Sequence, residues 1–368
     1  MRRAVSIALA VLVAVGVGIA IVASVRSKDT PSPPAHVTVV RGVIGSEKQP
    51  FFEDPRVRAE FRKKGLDVEV DTAGSRQIAT LDLKPYGFAF PAGVPAAVKI
   101  KAAHGVSKSY TTFYTPMAIA SWRPIADLLV KAGVATNQGS YYTFDVAAYL
   151  RLVAKNTRWS DLPGNTSYPV DKSILVTSTD VRTSNSAAMY LSIASYVSNQ
   201  NNVVQDEAQA DAVSKTVEPL FLRQGFVEAS TEEPFEDYLA IGIGKTPMVM
   251  IYEAQFVARV LASDPAITSD MVLMYPSPDV LSKHTFIPLT PAGDRVGQLL
   301  LQDPVLQRLA IQFGFRTSDA AAFAQELSSH HLGLPRTLLN IIEPPAYEPL
   351  ERMITDIEQA YQEGGSGT

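Results

Sequence analysis

The sequence predicts an α/β fold with a mostly parallel sheet, divided over more than one sheet and large enough for two lobes. Two observations lead there, and a third narrows the chemistry. Short β-branched runs alternate with amphipathic helical segments along the chain. Its 368 residues, 46% of them hydrophobic, can bury more than one core. The absence of cysteine excludes a disulfide framework, thiolate metal sites, a cysteine nucleophile and a lipid-modified cysteine anchor.

In chain order, Ala4 to Val25 is a run of 22 apolar or small residues without a charge, bounded by Arg2-Arg3 and by Arg26 and Lys28. A bilayer-spanning helix needs about 20 such residues, whereas the apolar core of a cleaved signal has about 7–15. Residues 1–28 are therefore expected to be an uncleaved transmembrane anchor with the remainder exported. A long signal processed near Ala23 or Ser24 is the alternative and exports the same chain. Residues 29–35, which include Thr30-Pro31-Ser32-Pro33-Pro34-Ala35, read as an extended proline-rich linker. Residues 363–368 read as a flexible tail.

The exported part begins near His36 and carries 29 basic and 36 acidic residues, a net of −7 against −4 for the whole chain. That balance excludes a general nucleic-acid surface. Val37–Val40 reads as a strand followed by the turn-rich Gly42 to Ser46. A helix fits Asp54 to Lys64, with Asp54 as cap, Pro55 in the first turn, Val57 and Phe61 on one face, and Gly65 as stop. Leu66–Val70 alternates as a half-buried strand, so the first unit is a parallel βαβ. Further strands are expected at Phe113–Ala120, Ile174–Thr177, Met248–Tyr252, Val272–Tyr275 and Thr285–Leu289. A helix is expected over Ala187–Val197, stopped by Asn199–Asn202. In such folds ligands bind beyond the carboxyl ends of strands. Ser46, Ser75 and Thr183-Ser184-Asn185-Ser186 occupy such places.

Most catalytic motifs fail. Gly242-Ile243-Gly244-Lys245-Thr246 ends like a phosphate-binding loop, but Leu239 stands where its first glycine belongs and Pro247 leads into a strand. Neither Ser46 nor Ser75 has the glycines of a nucleophile elbow. His330-His331 are adjacent rather than spaced as metal ligands. Glu232, Glu233, Glu236 and Asp237 read as a solvated first turn of a helix. No metal, cofactor or catalytic set is expected. At Thr183–Ser186 hydroxyls and an amide gather at a helix start, which suits either simple capping or contact with a polar or anionic ligand.

Several patches, taken in order, resemble bacterial extracellular solute-binding proteins of the type II periplasmic-binding-protein fold. They resemble in particular the sulfate- and molybdate-binding-like branch and the substrate-binding domains found beside von Willebrand type A domains. The patches are Val39–Gly42 with Gly45–Lys48, Thr115–Ala120, Trp159–Leu162, Thr179–Ala187, Ile251–Gln255, Tyr275-Pro276 and Phe313–Arg316. The resemblance implies two lobes, 36–120 with 282–362 and 121–281, closing on a solute about a hinge crossed near Ala120 and Ser282. It implies cleft contacts from Ser46, Ser75, Ser184, Asn185, Ser186, Tyr252 and Glu253. Two departures stand out: the cysteine lipobox is missing, and Ala187-Ala188 replace glycine after the serine.

The residues themselves suit a small polar solute or an ionised oxyanion held by neutral hydroxyls. Arg76 either pairs with such an anion or is simply exposed. Glu253, if it faced the cleft, would repel an anion. The expected function is that of a membrane-anchored, single-pass, extracytoplasmic solute-binding protein without catalysis. It would present its solute to a membrane transport or sensing partner, or to a von Willebrand type A domain protein. The alternative is an assembly partner with a degenerate cleft; an enzyme on the same fold ranks last, for want of a nucleophile–base set.

Overall fold

The computed structural model describes residues 37–225, 227–338 and 340–365. The expected anchor and linker lie outside the described residues. Among those described, no helix is long and apolar enough to cross a membrane.

Ten strands are described: β1 (Thr38–Ile44), β2 (Leu66–Thr72), β3 (Phe88–Phe90), β4 (Tyr110–Trp122), β5 (Ala135–Asn137), β6 (Tyr142–Asp145), β7 (Met248–Tyr252), β8 (Met271–Ser277), β9 (Asp279–Pro288) and β10 (Ile341–Ile342). The helices of the first half are α1 (Gln49–Glu53), α2 (Pro55–Lys63), α3 (Ser75–Ile78), α4 (Val94–His104), α5 (Arg123–Lys131), α6 (Val146–Ala154) and α7 (Asn185–Ser198). Those of the second are α8 (Glu207–Val217), α9 (Pro219–Leu222), α10 (Glu232–Ala240), α11 (Glu253–Leu261), α12 (Pro291–Gln302), α13 (Pro304–Gln312), α14 (Ala320–Ser329) and α15 (Tyr347–Gly365).

The opening unit forms as its residues dictate. Asp54 accepts from the Arg56 amide to cap α2, and Gly65 takes the left-handed φ of 79° that ends it. β1 then pairs in parallel with β2 from Thr38 opposite Leu66 to Ile44 opposite Thr72. Beyond this unit the expected mostly parallel, multiple sheets give way to one connected pairing, β2-β1-β3-β9-β4-β8-β6-β5, with β7 also on β4 and β10 on β9. The reason is the crossing. β4 pairs with β9 over Tyr110–Pro116 and with β7 and β8 over Met117–Trp122, so it runs from one half of the molecule into the other. The chain returns along β9, and a path out and a path back lying side by side must be antiparallel.

Each half has its own core. Val40, Ile44, Phe51, Phe88, Phe90 and Phe286 belong to the first; Met117, Tyr149, Trp159, Leu191 and Met274 belong to the second. Ile174–Thr177, expected as a strand, makes one isolated bridge, from Thr177 to Val249. Side chains take its neighbouring amides instead: the Val176 amide donates to the Tyr149 hydroxyl at 3.0 Å, and that of Ser178 to Gln224 at 2.7 Å.

The last helix departs from the expected division. Residues 347–362, grouped by sequence with the first lobe, bury Leu350, Met353, Ile354 and Ile357 in the core of the second half, beside α8 and α7. The helix runs on through Gly365, so residues 363–365, expected in the tail, are helical.

Candidate functional site

The carboxyl ends of β1 and β2 face the amino ends of α7 and α10 across a cleft of about 170 Å3. Ser46 opens a 3-10 turn directly after β1. Ser75 starts α3 after β2, and its hydroxyl accepts from the Ala92 amide at 2.8 Å, which fixes the neighbouring loop. From the other half come Ser184, Asn185, Ser230, Thr231 and Tyr252.

Ser184 occupies the N-cap position of α7, yet its side chain makes no capping hydrogen bond. Its hydroxyl instead forms a triangle with Thr179 at 2.7 Å and Ser186 at 2.9 Å, and the Thr179–Ser186 edge is also 2.9 Å. The first amides of a helix have no intrahelical acceptor. Those of α7 therefore remain available at the cleft, with the positive end of a 14-residue helix behind them. Ser186 is buried beneath Ser184 and braces it without lining the cleft. Asn185 donates to the Tyr252 hydroxyl at 2.9 Å, and burial holds that phenol far above its ordinary range, so it stays neutral.

Two residues expected in the cleft are engaged elsewhere. Arg76 pairs with Glu351 of α15 at 2.6 Å and donates to the Arg182 carbonyl at 2.5 Å. Glu253 is fully buried and turned away from the cleft. It accepts from Arg316 at 2.6 and 2.8 Å and from the Tyr275 hydroxyl at 2.5 Å. The anion-repelling role that an exposed Glu253 would have had therefore does not arise.

The sequence reading does not single out Glu47, Thr72, Ser230 or Thr231, all of which line the cleft. Ser230-Thr231 ahead of Glu232-Glu233 carries the signature of a helix start, which was the available signal. Glu47 is neutralised by Lys48, whose buried ammonium also lies 3.2 Å from the His284 Nδ1. Burial lowers the Lys48 pKa, with Glu47 opposing; burial and then Lys48 push His284 well below its ordinary value, so the imidazole is neutral. No group of three or more potential metal-ligating side chains exists among the described residues.

The two halves touch at the cleft rim. A Cβ on Gly74 would lie 2.2 Å from the Thr183 carbonyl oxygen, and one on Gly93 would lie 2.3 Å from the Asn185 Oδ1. Gly74 lets the backbones meet, and Gly93 leaves room for the Asn185 side chain.

No family model matches the chain, and no curated protein does. Solved structures do. The iron-bound HitA of Pseudomonas aeruginosa matches at 11% identity over 88% of this chain and 99% of its own, with a TM-score of 0.52. The periplasmic binding protein P5PA matches at 10% identity over 88% and 99%, with a TM-score of 0.50. The sulfate-binding protein SubI of Mycobacterium tuberculosis H37Rv is 17% identical over 85% and 96%, with a TM-score of 0.47. Two halves joined by paired crossing strands, together with the likeness to HitA and P5PA, give this chain the type II periplasmic-binding-protein fold.

Proposed function

We propose that the protein is an extracytoplasmic solute-binding protein that closes two lobes, 36–120 with 282–346 and 121–281, on a small oxyanion or similarly polar solute. The observation that carries the reading is the uncapped amino end of α7. Its cap serine is turned into a hydroxyl triangle, and its amino end opens on a cleft lined largely by hydroxyl and amide groups, with the Lys48-paired Glu47 carboxylate among them. Ser46, Ser75, Ser184, Asn185 and Tyr252 surround the solute, Ser186 supports Ser184, and Arg76 acts on the rim as a latch between the halves. HitA is described as iron-bound and P5PA as a periplasmic binding protein, and the described site residues include no nucleophile beside a base, which supports binding rather than catalysis. The uncharged run at residues 4–25 supports tethering to the membrane, and handing of the solute to a membrane transport or sensing partner fits that placement.

Calorimetric titration with sulfate, phosphate and molybdate, beside amino acids, sugars and polyamines, tests the reading. Oxyanion binding is expected. The Ser184→Ala, Ser186→Ala double variant should weaken it by about 10–100-fold while costing less than about 2 kcal/mol of stability. Unchanged affinity in that variant, or heat only from polyamines, would sink the proposal. Heat from no solute, with a membrane protein co-purifying, would favour an assembly role.

A further inference from the structure

Beside the hydroxyl-lined cleft lies a second, larger space of about 510 Å3. Glu47 and Tyr252 line both, so the two spaces adjoin at these side chains. The larger space also draws on both halves: Arg56 and Phe313 come from one, Gln255 and Ala258 from the other. Its volume falls within the range of about 300–1,000 Å3 that holds organic ligands, whereas the cleft alone is smaller than that range.

The chemistry of the two spaces differs. The floor of the chamber is aromatic and rigid. Phe315 is buried and stacks on Phe113 at 4.7 Å, and Phe313 meets Phe51 edge-on at 5.8 Å. Ala254, Ala258 and Leu261 continue the apolar surface along α11. Both arginines on its wall are already engaged. Arg56 holds Asp54 and Gln312, and Arg259 holds Glu232, Glu236 and Asp264. Glu326, on the far wall, has no ion-pair partner among the described residues. An apolar body fits this space, and a second anionic group does not.

We propose that the solute is an organic oxyanion with one charged head, a phosphonate- or sulfonate-type group in the cleft with an apolar body of about one aromatic ring in the chamber. This rests on the solute-binding reading above and names the class of solute. Because both spaces are built from both halves, a solute that fills them is gripped at two places by one closure.

The test is calorimetric titration of the full chain in detergent with matched pairs: phosphate against phenylphosphonate, sulfate against benzenesulfonate, and 4-carboxyphenylphosphonate as a doubly charged probe. At least one ring-bearing ion is expected to bind about tenfold tighter than its inorganic counterpart, the gain that burial of part of a phenyl ring supplies. The added carboxylate should cancel that gain. Ala258→Phe, which fills the chamber from α11, should remove the gain and leave the inorganic ion within about twofold. Ala262→Trp at the rim, on an exposed position, should act in the same sense without touching the core. Inorganic ions that bind as tightly as their ring-bearing partners, or a gain that survives both variants, would overturn this inference and leave the solute-binding reading standing. Binding of none of the five ions would overturn both.

Discussion

Replacing Glu253 by Gln should destabilise the protein strongly and leave solute binding intact. Glu253 is fully buried, and its partner Arg316 has a side chain only 7% exposed. Two hydrogen bonds of 2.6 and 2.8 Å join them, and the Pro335 carbonyl at 3.0 Å is the guanidinium's next acceptor. Glutamine keeps the shape and one acceptor oxygen but removes the charge, leaving a desolvated guanidinium without its counter-ion. Breaking a buried pair from one side costs about 3–5 kcal/mol, and the retained acceptor places this variant near about 3. That is a large share of the roughly 5–15 kcal/mol that holds a domain together. Urea unfolding followed by circular dichroism reads the change as a shift in midpoint at constant slope. Replacing both members, Glu253→Leu with Arg316→Met, should lose less than Glu253→Gln alone, since an apolar replacement of a buried pair is close to neutral. A loss below about 1 kcal/mol would refute the buried-pair reasoning, and normal stability with lost solute affinity would show that Glu253 serves the cleft.

Two further outcomes are expected. Gly74 has φ −61° and ψ 145°, which any residue tolerates, so Gly74→Ala acts only through the Cβ facing the Thr183 oxygen. It should hold the halves apart and weaken oxyanion binding by about tenfold, measured by titration, with the unfolding temperature almost unchanged. His284 is neutral in the folded protein because burial and Lys48 lower its pKa, while the unfolded imidazole takes up a proton near pH 6.5. The unfolded state then binds more protons, so stability falls by about 1.4 kcal/mol per pH unit as pH drops below about 6.5. His284→Phe, set among Phe90, Phe113 and Phe315, should flatten that slope in thermal scans between pH 7 and 5; an unchanged slope would refute the assignment.

Much of this molecule was legible locally. Asp54, Pro55 and Gly65 bound α2 almost to the residue, because caps and stops are set by neighbours in sequence. Ser46, Ser75 and Ser184 fall at strand ends and helix starts for the same reason. What was not legible depends on residues far apart in the chain. The antiparallel pairing of β4 with β9 joins positions about 170 apart, and nothing local in either strand specifies its partner. The roles of Arg76 and Glu253 were hidden likewise: their partners Glu351 and Arg316 are 275 and 63 residues away. A charged residue beside a candidate cleft reads as a ligand contact until its own counter-ion is known.

Those counter-ions decide how the cleft treats an anion. Four charged residues at or beside it are matched within the chain: Glu47 by Lys48, Arg76 by Glu351, Asp180 by Arg182, and Glu253 by Arg316. A bound oxyanion would therefore meet hydrogen-bond donors and a helix end, while Lys48, Arg76 and Arg182 are already paired. The field it crosses on the way in is that of residues 36–368, with a net charge of −7, which repels it. Inert salt screens long-range repulsion over about 10 Å at 0.1 M but scarcely touches short hydrogen bonds in an enclosed cleft. Raising sodium chloride from about 20 to 200 mM should thus leave oxyanion affinity unchanged or raise it slightly, with faster association at the higher salt. A site built on a free arginine or lysine would behave in the opposite sense, losing affinity as its attraction is screened. Stopped-flow and calorimetric measurements across that range separate the two. A fall of about tenfold would mean that a cation, Arg76 being the nearest to hand, leaves its internal partner to hold the solute.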